Sequence, residues 1–385
     1  MRLTNRALKT NLLSTCARVR DGQLILRTPE GERYQFGSSG PEAEITIHDW
    51  AAVGAMAAHG QVGLGETYVQ GLWDTPSIQA FMSLVMRNRE HLSAYDQASP
   101  LSRAKFRMVD SVLRANSRRG ARRNIRSHYD VGNEFYGLWL DEGMTYSAGL
   151  FADGDTDLAR AQTRKNARVL SRLGSGERML EIGCGWGGLA EQASSEGREV
   201  TGVTISPSQH SYADCRLDGR ADIQLRDYRD IEGTYDNIVS IEMIEAVGAR
   251  YWPGYFDVLK RSLAEGGRIL LQAITVKDSF FDTYKTSSDF IRQYVFPGGM
   301  LLSDRVIRDQ AKAAGLEVQD SFAFGTDYGR TCRIWADRLA AQKQRIIEMG
   351  YGESFFRNWQ YYLESCAASF AIGHTDVVQV ELAHA

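Results

Sequence analysis

Cysteine is scarce: five in 385 residues (Cys16, Cys184, Cys215, Cys332, Cys366), odd in number, widely spaced and with no Cys-x-x-Cys pair. That excludes a small disulfide scaffold, gives no reason to expect a structural zinc or other metal site, and fits a reduced, cytoplasmic setting. Proline is equally sparse at seven residues, and there is no internal repeat or low-complexity tract, so a collagen-like or repeat architecture is excluded. No stretch reaches the ~18 apolar residues needed to cross a bilayer. The charges between Met1 and Thr10 are followed by no apolar core, so no secretory leader is expected. Net charge is nearly absent too, with 45 Lys and Arg against 48 Asp and Glu. What remains is 43% hydrophobic and 24% charged residues, the balance of a soluble globular protein and not of a disordered chain. Its length suits two domains, or one large domain with an extension.

The near-neutral total hides an asymmetry. Residues 1–127 carry 18 Lys and Arg against 11 Asp and Glu, whereas residues 128–385 carry 27 against 37. Nine cations fall between Arg103 and Arg126, with Asp110 as the one anion among them. Such a run attracts polyanions, either nucleic-acid phosphates or anionic lipid at about 1 kcal/mol per cation near a membrane. It also suits a solvated linker.

Short alternating runs at Gln23–Arg27 and Glu44–His48 predict strands, and 49–59 and 77–92 predict helices. Leu101–Arg119 is a candidate basic amphipathic helix, either packed on its own domain or lying at a lipid interface. From about residue 177 strands and helices alternate. Arg178–Ile182, Val200–Val203, Ile223–Leu225, Asn237–Ile241 and Arg268–Ile274 read as strands, and Tyr251–Ala264 as a helix between them. Mostly apolar strands in this alternation predict a parallel sheet covered on both faces. Val318–Phe322 and Thr331–Trp335 are candidate late strands, followed by a helix over 354–370.

The first of these strands runs into Glu181-Ile-Gly183-Cys-Gly185-Trp-Gly187-Gly188. Glycines here let the backbone turn tightly and approach a ligand. The Gly-Lys-Ser/Thr of a phosphate loop is missing, and Glu181 before the first glycine suits a ligand with a cationic amine. Cys184 within the loop reads as a small packing residue.

This segment and Val203-Thr-Ile-Ser-Pro-Ser-Gln209 together resemble the S-adenosylmethionine-binding core of class I methyltransferases. More narrowly, the chain resembles the cyclopropane-fatty-acid synthase family. The further matches are His128-Tyr-Asp-Val-Gly-Asn133, Tyr146-Ser147, Asp227-Tyr-Arg-Asp230, Ile241-Glu-Met-Ile-Glu-Ala-Val-Gly248, Tyr294-Val-Phe-Pro-Gly298 and Phe324-Gly-Thr-Asp-Tyr328. The resemblance implies an α/β fold, Rossmann-like, with a mostly parallel seven-stranded sheet at 116–385. It implies a smaller α+β lipid-binding domain at 1–115. The implied cofactor is S-adenosylmethionine. Tyr146, Ser147, Gly183 and Gly185 would surround its methionine part, Thr204 and Gln209 would face ribose and adenine, and Tyr228 and Arg229 would flank the adenine. The implied partners are unsaturated phospholipid acyl chains, met by a peripheral protein on the inner face of the membrane. No nucleic-acid partner is implied, and a homo-oligomer stays open.

An alkene attacking a sulfonium methyl leaves a carbocation, so a base must take one proton and water must be kept out. Tyr294, Phe296 and Tyr328 are candidate aromatic faces for the cation. In the resembled family the base is a bicarbonate ion held by five groups. Three have counterparts here: Glu245, Tyr328 and the backbone of Ile274. The other two have changed type, the cysteine to Ala148 and the histidine to Gln272. Gln272 still offers an amide donor, so bicarbonate could remain. If the proton leaves from elsewhere on the cation, a methyl- or methylene-branched chain or a methylated diene forms in place of a cyclopropane. Two other readings are weighed. A nucleic-acid methyltransferase would commonly carry a Pro-Pro-Tyr/Phe motif where this chain has Ile241–Glu245, and a non-catalytic homologue would only bind lipid and cofactor.

Overall fold

A computed structural model describes residues 2–92, 116–129 and 131–385. The candidate basic helix over 101–119 therefore lies, but for its last four residues, outside the described part, as do the side chains of His128 and Tyr129.

Two sheets organise the chain. The smaller holds β1 (Gln23–Arg27), β2 (Arg33–Phe36), β3 (Glu42–Ile47) and β4 (Trp73–Asp74) in the order β2-β1-β3-β4. Alternation in β3 turns Ala43, Ile45 and Ile47 inward. Helices Arg2–Cys16, Ala51–His59, Gln61–Val69 and Ile78–Arg87 pack around this sheet. The last of these ends at Arg87, five residues before the expected limit.

The larger sheet has the order β10-β11-β9-β8-β5-β6-β7, built from β5 (Arg178–Ile182), β6 (Glu199–Thr204), β7 (Asp222–Leu225), β8 (Tyr235–Ile241), β9 (Leu263–Val276), β10 (Leu316–Ala323) and β11 (Thr375–His384). Neighbours from β7 to β9 pair parallel, whereas β11 runs antiparallel to both β9 and β10. Strand order reverses beside β5, which opens a crevice at the carboxyl ends of β5 and β8 where ligands of such sheets bind. This is the doubly wound, mostly parallel sheet expected.

Two assignments change. Thr331–Trp335 is not a strand but part of helix Gly325–Ala341, because Tyr328, Cys332, Trp335 and Leu339 fall on one buried face at helical spacing. The strand that completes the sheet is β11, whose residues Val377–Leu382 are all buried between β9 and β10.

One hydrophobic core joins the small sheet to the helices of the larger unit: Leu26, Ile47, Trp73 and Leu84 belong to the same cluster as Trp139, Trp335, Trp359 and Leu363. Helix Glu353–Ala371 makes the joint. Its Arg357 donates to Trp73 O (3.1 Å) and Asp74 (2.8 Å) and lies 3.9 Å over the Tyr68 ring. Its Glu364 accepts from the backbone N–H of Gln79 at 3.0 Å.

Candidate active site

Strand β5 delivers Glu181 and the glycine loop to the crevice. Gly183 and Gly185 have φ of 85° and 53°, the left-handed region that favours glycine. A Cβ on Gly185 would meet no protein atom within 4 Å, so its backbone faces open pocket, whereas one on Gly187 would press on Ala213 and Leu217 and part the helices. Tyr146, Ser147, Glu181, Gly183, Gly185, Thr204, Gln209, Tyr228 and Arg229 all border this single pocket. Thr204 Oγ1 donates to Gln209 Oε1 (3.0 Å), and the Arg229 guanidinium is gripped by Asp227 while lying 5.3 Å from the Tyr228 ring.

Among the described residues, two buried oxygens in this pocket have no hydrogen-bond donor, Glu181 Oε2 and Asn166 Oδ1. Burial raises the Glu181 carboxyl to about 8, against the opposing pull of Lys165. A buried acid with one oxygen left over, beside an exposed glycine backbone, fits a ligand that brings a cationic amine, as S-adenosylmethionine does. Lys165 was not anticipated. It is buried on helix Leu158–Ser171, donates to Ser147 Oγ at 3.2 Å, and is lowered to about 8 by burial against the pull of Glu242, Glu181 and Asp141. Its signal was present, since Gln162, Lys165 and Asn166 interrupt the apolar stripe of Leu158, Ala161, Val169 and Leu170.

A second, larger cavity of about 740 Å³ meets the first at Tyr146, Glu242 and Ala246, which border both. Glu245, Ile274, Phe296 and Tyr328 also line it. Expected as a cation-facing ring, Tyr294 is instead half-exposed at the surface, with its hydroxyl on Glu66 of the N-terminal unit. Phe296 does face the cavity, at 6.4 Å from Tyr146 and 5.7 Å from Tyr362.

Three of the five anion-holding positions, Ala148, Gln272 and Tyr328, converge on a residue the sequence reading passed over, while the other two, Glu245 and the Ile274 N–H, bond each other. Glu242, at the end of β8, accepts from the Ala148 backbone N–H (2.9 Å), the Gln272 amide (2.7 Å) and the Tyr328 hydroxyl (2.5 Å). Gln272 is aimed by its neighbour on β11, because Gln379 donates to Gln272 Oε1 at 2.9 Å and leaves the amide nitrogen for Glu242. Burial raises the Glu242 carboxyl above its ordinary value, an effect that these three donors and Lys165 only partly offset. Glu245 accepts from the Ile274 N–H at 2.5 Å, and among the described residues its Oε2 is buried without a partner. Burial and the nearby Glu242 charge raise it to about 8, so it holds its proton at neutral pH.

The seven-stranded sheet with its glycine loop and acidic crevice defines a class I S-adenosylmethionine-dependent methyltransferase. The model of the mycolic acid cyclopropane synthetase family matches residues 116–380, and the chain belongs to that family. Tuberculostearic acid methyltransferase UfaA1 of Mycobacterium tuberculosis is 35% identical over 377 residues, covering 92% of this chain and 87% of that one. Cyclopropane-fatty-acyl-phospholipid synthase of Escherichia coli is 35% identical over 343 residues, covering 88% and 87%. Among solved structures, mycolic acid cyclopropane synthase CmaA1 complexed with SAH and CTAB superimposes with a TM-score of 0.64 at 28% identity, over 68% of this chain and 97% of that one.

Proposed function

We propose that this protein adds a one-carbon unit from S-adenosylmethionine to a double bond of an unsaturated phospholipid acyl chain, leaving an open methyl or methylene branch and no ring. Two relatives at equal identity bear names pointing to different products, tuberculostearic acid and cyclopropane acyl phospholipid. The choice between them therefore rests on residues. The observation that carries it is the Glu242 carboxyl group, seated where cofactor pocket and acyl cavity meet and held by Gln272, Tyr328 and the Ala148 N–H, three of the five positions from which an external anion was expected to hang.

The cofactor supplies an electrophilic methyl group. Glu181 and Asn166 offer acceptors to its ammonium, and the glycine loop admits it closely. Tyr146, Phe296, Tyr328 and Tyr362 wall the junction with aromatic faces that favour a cation and exclude water. When the double bond has taken the methyl, its π electrons form the new C–C bond and positive charge is left on the chain. Glu242, a carboxyl group with three fixed donors, then accepts one proton in its ionised form. Loss from a chain carbon beside the cation restores a double bond next to a methyl branch. A methylene branch forms when a hydride first shifts from the methylated carbon to its cationic neighbour and the proton then leaves the new methyl. A base fixed to the protein reaches one side of the cation. A carboxylate built into the chain at this place supports proton loss that restores a double bond over proton loss that closes a ring.

The protein would work as a peripheral partner of the inner membrane face. No described helix is long and apolar enough to cross a membrane, and Arg119 and Arg123 on helix Arg118–Tyr129 are exposed next to the cofactor pocket, which Ala121 borders. The test is transfer of labelled methyl to vesicles of unsaturated phospholipid, followed by mass spectrometry of the released acids before and after hydrogenation. A product one CH₂ heavier that still takes up hydrogen is expected. A product resistant to hydrogenation would make it a cyclopropane synthase, and no incorporation with cofactor still bound would make it a non-catalytic homologue.

A further inference from the structure

The acyl cavity does not stop at the methyltransferase domain. It opens beside helix Asp278–Thr286, where the exposed Asp282, Thr283 and Thr286 form part of its lining. From the carboxylates it extends between the two units into the N-terminal one, where the wall is Leu26, Ile45 and Ile47 of the sheet and Met82, Val85 and Met86 of helix Ile78–Arg87. None of those six is exposed. The described polar lining from the N-terminal unit is Thr15, Gln61 and Arg89. Thr15 donates its hydroxyl to Asn11 O (2.9 Å), and Arg89 lies 4.3 Å over Phe280 on the helix at the opening. The thiol of Cys16 is pushed up to about 12 by burial and stays neutral.

A wall of buried apolar side chains does not suit a phosphate or a carboxylate, because an unpaired charge against it would cost several kcal/mol. It suits a hydrocarbon terminus. The family model begins at residue 116, so this wall lies outside the part of the chain that the model matches.

We infer that the N-terminal unit is the receptor for the methyl end of the acyl chain, and that Val85 and Met86 set how much chain fits beyond the double bond. The inference rests on the reading of the cavity as an acyl site, and the following test separates the two. Both side chains are half-buried on one helix turn, so replacing them changes cavity length without emptying the sheet core.

The experiment offers the whole protein two mixtures of monounsaturated phospholipids. In one the chains differ only in length from double bond to methyl end, and in the other only from carboxyl group to double bond. Met86→Trp and Val85→Phe should shift the first mixture towards shorter chains by about tenfold, the discrimination one or two methylenes give in an apolar pocket. Met86→Ala should shift it towards longer ones, and the second mixture should be unchanged. The same ratios are read from displacement of a fluorescent fatty acid, which needs no turnover. A protein that binds with the expected preferences but transfers nothing would overturn the activity and leave this receptor standing. Ratios unchanged in all three variants by both readouts, or shifts appearing in the second mixture, would overturn the receptor.

Discussion

At the scale of the residue, Glu242 is held in an unusual way. Its φ of 50° lies in the left-handed region, which costs a residue with a side chain about 1–3 kcal/mol when the surroundings impose it. Glycine would adopt it freely. A glutamate persists there because its backbone N–H is fixed to Gln272 O (2.8 Å) and its carboxylate is bonded three times. Removing the carboxylate leaves a cradle of three donors shaped for a planar anion. Glu242→Gly should therefore lose methyl transfer by roughly 10²–10⁴-fold and regain part of it when bicarbonate is added, whereas the parent protein should ignore bicarbonate. A parent enzyme that stalls in carbonate-free buffer would assign the base to the ion instead.

Glu181 makes a second prediction at this scale. With its carboxyl raised to about 8 by burial, it is neutral at pH 6 and ionises as pH rises through about 8. Only the ionised form attracts the cofactor's ammonium. Affinity for S-adenosylmethionine, measured by calorimetry, should thus tighten from about pH 6 to about pH 8, and Glu181→Gln should bind weakly with that rise removed. Lys165, lowered to about 8, titrates over the same range. A rise that survives in Glu181→Gln would move the effect to the lysine.

At the scale of the element, strands facing two environments were legible and contexts set by distant partners were not. Alternation exposed β1 and β3, and the apolar runs of β5 to β9 exposed the larger sheet. Thr331–Trp335 misleads because five residues with a β-branched and aromatic bias read as a strand, while the 17-residue window around them has helical spacing. Strand β11 hides for the opposite reason. Its Gln379 and Glu381 break the apolar run, yet both are buried, Gln379 on Gln272 and Glu381 on Arg172. The same distance effect concealed the cluster around Glu242. Glu242 and Glu245 stand three residues apart, and only the fold shows that Tyr328, Gln272 and the Ala148 N–H turn to the first. The glycine loop, by contrast, was readable because its function is local backbone geometry. Packing glycines were not: Gly63 sits where a Cβ would fall 2.2 Å from Ala55 O, a close approach of two helices that no spacing rule announces.

At the scale of the whole molecule, charge divides the chain near residue 127, but packing does not divide it there. The small sheet has its own strands and helices, yet its core is continuous with helices Gly325–Ala341 and Glu353–Ala371. Arg357 and Glu364 reach from the second of these helices onto Asp74 and Gln79. Interfaces between domains that are polar and small let the domains move apart, whereas an apolar joint of this kind couples them. The larger cavity is walled from both sides of the joint, so opening the N-terminal unit would also open the cavity. Amide exchange should therefore show β1, β3 and helix Glu353–Ala371 opening as one cooperative unit, with a long-chain fatty acid slowing all three by the same factor. Exchange in β1 and β3 that runs orders of magnitude ahead of the helix, or that ignores the fatty acid, would mean that the N-terminal unit is a separate module resting on the enzyme and not a wall of its substrate site.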